Sequence, residues 1–233
     1  MSRINCDDYQ NYYNYKDTKE ITDISRKIFI NSLDIYIVSS GGVGSEYIAK
    51  FLSEKGINTG YITKTLGETE NKLKYSDIIN NNVCHHSSKL IRNKKTLYLY
   101  GDIINSIISQ YNRGYLHINA TKIHFGRDYN HHTLEYFLNN FPNDPIGIKK
   151  QYNNFKNTTN TIMIKYPYKK EDIENAMKTF GYNIDFSDFV VKHRNKNFNN
   201  DLIQYPNNLQ RIISIYKSYN FDENNFLFFN IFK

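Results

Sequence analysis

From Ile35 to Leu52 the chain reads Ile-Tyr-Ile-Val-Ser-Ser-Gly-Gly-Val-Gly-Ser-Glu-Tyr-Ile-Ala-Lys-Phe-Leu. The opening is an apolar, β-forming run, and three glycines fall within the next few positions. From Ser45 onward the apolar residues Tyr47, Ile48, Phe51 and Leu52 recur at helical spacing. A strand that must turn at once into a helix predicts a buried strand of an α/β sheet. The glycines let the backbone turn with its N–H groups facing inward, and the helix start adds unpaired donors and the positive end of its dipole. Such a turn binds an anion mainly through main chain, with Gly41, Gly42, Val43, Gly44 and Ser45 as the candidate binding residues.

Three owners compete for this loop. An ATP- or GTP-binding loop requires Gly-Lys-Ser/Thr, but Gly44 is followed by Ser45 and Glu46. A dinucleotide-binding G-x-G-x-x-G loop would use Gly42 and Gly44 and then meet Tyr47, too large for the close helix-to-strand approach of the third glycine. Gly-Gly-Val-Gly-Ser-Glu also occurs in adenylate-forming activators of ubiquitin-like proteins. The third owner is an ordinary helix start whose glycines only permit a tight turn.

With 233 residues the chain can bury a full core, and it reads as one domain over 31–233 preceded by a polar, tyrosine-rich segment at 1–30. That segment has no clean period and is expected to be an appended edge element or a partly mobile tail. No apolar run approaches a membrane span and the start is no signal peptide, so no membrane partner is expected. Cys6 and Cys84 alone give no disulfide framework, which points to a reducing, intracellular compartment. The net charge of +7 admits nucleic acid as a partner, yet the lysines are spread among many acids. The nearest block, Lys89 to Lys95, reads as a solvated connection. A basic nucleic-acid-associated protein is therefore the weakest of the functional readings.

Strand, turn and helix then recur. The first helix stops at Gly56, and Ile57 to Thr63 reads as a second strand. Lys95 to Tyr100 is an apolar strand ending at Gly101-Asp102, with a helix from Ile103 to Tyr111. Thr161 to Tyr166 is strand-like, Pro167 interrupts it, and Lys170 to Phe180 is an amphipathic helix closed by Gly181. This order predicts a three-layer α/β fold, a parallel sheet flanked by helices of the P-loop NTPase-like kind. Ligands in such sheets sit beyond the carboxyl ends of the strands. There Ser109 and Arg113, one helical turn apart, could share a phosphate, against the plainer reading of a surface arginine and a serine bonded back to its helix.

In these segments, from about Asp34 to Phe198, the chain resembles the PAPS-dependent sulfotransferases, especially the divergent forms of large DNA viruses and some microbes. Ser39 to Ser45 looks like the family's 5′-phosphosulfate loop. Val83-Cys84-His85-His86 stands where the family has Lys-Thr-His, so the resemblance makes His86 the catalytic histidine and His85 its nearest rival. Leu97 to Ser109 looks like the 3′-phosphate element, with Ser109 on its serine. Ile162 to Gly181 is similar to the family's strand, tyrosine-containing turn and helix. Lys192 to Lys196 sits where a late basic motif returns to the 3′-phosphate, which makes Arg194 a cofactor-binding candidate. The implied cofactor is 3′-phosphoadenosine 5′-phosphosulfate (PAPS) and the implied activity is sulfuryl transfer to a hydroxyl or amine acceptor, with no metal required. The viral likeness would place the chain in the cytoplasm of an infected host cell.

The chain departs from the family at three cations. Gly101 stands in place of the arginine of the 3′-phosphate element, so Arg113 or Arg194 would supply that charge. Gly42 replaces the loop lysine, as in other lysine-free viral loops, and Cys84 replaces the lysine before the catalytic histidine. A catalytically impaired, nucleotide-binding relative of the fold is the alternative reading. A zinc site joining His85 or His86 with His124, His131 or Cys84 matches no known ligand spacing. The acceptor pocket is expected in the loops 67–82 and 114–144, and His131-His132 at a surface loop or helix start.

Overall fold

The five residues of β1, Ile35–Ser39, are all buried, as a strand covered on both faces requires. The computed structural model describes residues 33–59, 93–125, 132–156, 158–191, 202–219 and 221. Within them β1, β2 (Lys95–Tyr100) and β3 (Thr161–Lys165) form a parallel sheet in the order β1-β2-β3. Ile35 pairs with Lys95 and Ser39 with Leu99, while Thr96 pairs with Thr161 and Tyr100 with Lys165. The chain is thus α/β with helices on the sheet, an arrangement compatible with a P-loop-like layout.

Alternation along the strands divides the side chains between two layers. Ile35, Ile37, Leu97, Leu99 and Ile164 pack against Ile48, Phe51 and Leu52 of α1 (Ser45–Glu54) and Ile173, Ala176 and Met177 of α2 (Lys170–Thr179). The opposite face carries Tyr36, Val38, Tyr98 and Tyr100, covered by Tyr152 and Phe155 of α3 (Ile148–Phe155). A third cluster unites α4 (Ile103–Asn112), α5 (Leu116–Phe125), α6 (Leu134–Asn140) and α7 (Asn207–Tyr216) through Ile107, Ile108, Ala120, Phe137, Ile212 and Ile213.

Both glycine stops act as expected. At Gly56 and at Gly181 the glycine N–H and the next N–H bond back to the helix, Gly56 to Ser53 and Ile57 to Leu52, then Gly181 to Lys178 and Tyr182 to Met177. That is the Schellman pattern. Asp102 caps α4 by accepting the N–H of Asn105 at 2.7 Å.

Two expectations differ. Ile57 to Thr59 is not a strand: the Asp34 carboxylate takes the Asn58 N–H at 2.7 Å, and the Asn58 carbonyl takes the N–H of Asp34 at 2.8 Å. A side-chain acceptor there replaces the ladder, and positions 60–63 lie outside the described residues. The stretch 114–144 is no open loop, since α5 and α6 occupy most of what is described of it. Segment 1–30 and the loop 67–82 lie outside the described residues. Among those described, no helix is long and apolar enough to cross a membrane.

Candidate functional site

The carboxyl ends of the three strands bring together the loop 40–45, Gly101-Asp102 and the turn 166–169. Ser39 fastens the first of these. Its hydroxyl accepts the Gly41 N–H at 3.2 Å and donates to the Ser45 hydroxyl at 2.9 Å, so both ends of the loop hang on one side chain. The Ser39 carbonyl accepts from Gln151 Nε2 at 3.2 Å, and Gln151 Oε1 accepts from the Tyr98 hydroxyl at 3.3 Å. All three groups are buried, which makes the end of β1 a fixed platform. Val43, 1% exposed within the α1 and α2 layer, anchors the loop by its apolar side chain.

Gly44 is the N-cap of α1 with φ 76° and ψ 15°, the left-handed region that favours glycine. This geometry leaves the cap without a side chain to satisfy the helix start. The first backbone donors with acceptors are those of Tyr47 and Ile48, both bonded to the Gly44 carbonyl. The N–H groups of Gly42, Val43, Gly44, Ser45 and Glu46 have no acceptor among the described residues. Consecutive unpaired donors at the positive end of a helix form an anion-binding concavity. Ser45, after accepting from Ser39, still has its own proton to donate.

The walls of the concavity come from residues that the loop's own pattern does not reveal. A Cβ at Gly41 would lie 2.7 Å from Cδ of Gln110, and one at Gly42 would lie 3.1 Å from Cα of Ser106, both on α4. A Cβ at Gly44 would lie 2.8 Å from the Tyr168 hydroxyl. Burial pushes the Tyr168 phenol well above its usual pKa, so it stays protonated and able to donate. Ser106, Gln110 and Tyr168 are thus site residues not singled out from the sequence. Periodicity assigns Ser106 and Gln110 to a polar helix face, and only the tertiary placement of α4 turns that face toward the loop. A tyrosine-containing turn after the third strand was the one available pointer to Tyr168.

The other candidate residues are placed differently. Ser109 is buried on α4, turned about 100° around the helix from Gln110 and about 60° from Ser106. Its carbonyl accepts Arg113 Nε at 3.0 Å, and the exposed Arg113 guanidinium lies 6.0 Å from the Tyr115 ring centroid. The structure therefore brings Ser109 and Arg113 together through a backbone bond. Gly101 is crowded: a Cβ there would meet Val43 Cγ1 at 3.1 Å and the Tyr166 Cβ and carbonyl oxygen at 3.2 Å. An arginine has no space at this position without moving the loop or the third turn. His86, His85, Cys84 and Arg194 lie outside the described residues.

His124 is held within an aromatic group, stacked 3.9 Å from Phe141 with its Nε2 3.1 Å from the Pro145 carbonyl. Burial lowers its pKa. His132 stacks at 3.9 Å on Tyr136, just before Thr133, the N-cap of α6, and His131 lies outside the described residues. Among the described residues no group of three His, Cys, Asp or Glu side chains is placed to hold a metal ion.

No family model matches the chain, and neither the curated proteins nor the solved structures give a significant match.

Proposed function

We propose that the glycine loop holds the 5′-phosphosulfate of PAPS and that the chain transfers its sulfuryl group to a hydroxyl or amine acceptor. The observation that carries this reading is the row of five N–H donors from Gly42 to Glu46 that have no acceptor among the described residues, gathered at the helix start after the end of β1. Their loop lacks the lysine that ATP- and GTP-binding loops use to reach outer phosphates. Its likeness to the sulfotransferase loop, with His86, Ser109 and Arg194 following in family order, favours a phosphosulfate.

PAPS supplies an activated sulfuryl group whose leaving group is 3′-phosphoadenosine 5′-phosphate. The chain's task is positioning and charge stabilisation, because in-line transfers of this kind pass through loose transition states. The N–H groups of Gly42, Val43, Gly44 and Ser45 and the Ser45 hydroxyl bind the anionic oxygens. Each such bond to a charged acceptor contributes about 1.5–3 kcal/mol. His86 takes the acceptor's proton on an imidazole nitrogen, a task suited to a group titrating near neutrality. Arg113 and Arg194 are the candidate cations for the 3′-phosphate, since a glycine with crowded surroundings stands at position 101.

A second reading, a nucleotide-binding protein without turnover, draws on the same crowding at Gly101 and on the lysine-free loop, because one missing cation at such a centre costs roughly a thousandfold in rate. Incubation with radiolabelled PAPS and a panel of phenols, sugars and amines separates the two. Label transfer by the wild type and its loss in His86→Ala support transfer. Nucleotide binding with no label moved, and no effect of His86→Ala, supports the binder.

A further inference from the structure

Gln110 is 0% exposed, and its Nε2 has no hydrogen-bond partner among the described residues. It lies against Gly41, with Nε2 3.1 Å from the place a Cβ would occupy. Its other amide atom is committed, because Oε1 accepts the Asn119 Nδ2–H at 2.7 Å. Asn119 itself is buried on α5 and holds the amide from behind, so the end left over is the donor. Buried amides without partners are rare, and α4 places this one against Gly41, the residue that precedes the row of N–H groups from Gly42 to Glu46. The Ser106 hydroxyl, one turn earlier on α4, stands beside Gly42.

Backbone N–H groups and an amide NH2 can only donate. A fully deprotonated oxyanion meets such a surface with lone pairs everywhere, whereas a protonated phosphate brings an O–H that no N–H can accept, leaving only the Ser45 and Ser106 hydroxyl oxygens to take it. A sulfate ester carries no proton near neutral pH, while a phosphate monoester keeps one below a second pKa of about 6. We propose that Gln110, fixed by Asn119, is the side-chain donor of the glycine cradle and makes it select a sulfuryl group over a protonated phosphate. The inference rests on the phosphosulfate reading of the loop and names the determinant of its specificity.

The test uses the full chain and two small probes of equal shape and charge. At about pH 5, methyl sulfate and methyl phosphate are both monoanions that differ in a single proton. Titrations followed by amide NMR should shift the Gln110 side-chain signals together with the backbone signals of Gly42 to Ser45, with methyl sulfate binding several-fold more tightly. Gln110→Met keeps the volume and removes the donor, and it should weaken methyl sulfate roughly 10- to 100-fold and erase the preference. Equal affinity for the two probes overturns the proposal. Loop shifts without a Gln110 shift overturn it and leave the loop reading standing, and no loop shift with methyl sulfate at high millimolar concentration sinks both. Should Gln110→Met fail to fold, the two-probe comparison on the wild type decides alone.

Discussion

Replacing Gly44 by alanine creates two costs that can be separated. Its φ of 76° is left-handed, which strains an L-residue by about 1–2 kcal/mol. The new Cβ would also stand 2.8 Å from the Tyr168 hydroxyl, and overpacking of that kind costs about 1–3 kcal/mol. The ring carbon behind that hydroxyl is 3.7 Å away, ordinary contact, so Tyr168→Phe removes the overlap and leaves the strain. Because the hydroxyl has no acceptor among the described residues, Tyr168→Phe by itself should cost less than about 1 kcal/mol. Gly44→Ala is then expected to lose about 2–5 kcal/mol and the double variant about 1–2 kcal/mol, a coupling of about 1–3 kcal/mol in favour of the pair. Urea unfolding of the four proteins at equal concentration measures it. Strict additivity would refute the close approach of the third turn to the helix start, and with it the shape given to the cradle.

Other perturbations reach neighbouring parts of the structure. Gly101→Ala should cost about 1–3 kcal/mol through its contacts with Val43 and Tyr166, and Gly101→Arg should cost more without strengthening nucleotide binding, read by thermal melts and calorimetry. Gln151→Leu leaves the Ser39 carbonyl and the Tyr98 hydroxyl without this partner in the interior and should cost about 2–4 kcal/mol in denaturant. His124 is buried, and burial lowers its pKa below the unfolded value of 6.5, so the unfolded chain binds a proton more readily. Its neutral form stabilises fully above about pH 6.5, and that contribution falls as pH drops through 6.5 toward the lower folded value. Melting temperatures between about pH 7.5 and pH 5 should decline in the wild type and less steeply in His124→Phe.

What could be read in one dimension concerned local pattern. The Ile35 to Leu52 run foretold β1, the turn and α1, and Gly56 and Gly181 marked helix ends because the left-handed conformation there favours glycine. The helix α5 reads as loop in sequence because its buried face includes Asn119 and Thr121, polar residues that blur the apolar period. The same difficulty hid the cradle's walls. Ser106 and Gln110 look like a solvated helix face until α4 is set beside the loop, whereas Ser109 and Arg113, equally spaced, point round the helix to other partners. Spacing reveals which residues share a face, and packing decides what that face meets.

The donors from Gly42 to Glu46 are proposed to bind the 5′ end of a 3′-phosphorylated adenosine nucleotide. Calorimetric titration of the full chain with adenosine 3′,5′-bisphosphate tests it most directly. Saturable binding in the micromolar range is expected, weakened by Gly44→Ala and competed poorly by adenosine. An absence of binding at high micromolar concentration would contradict it.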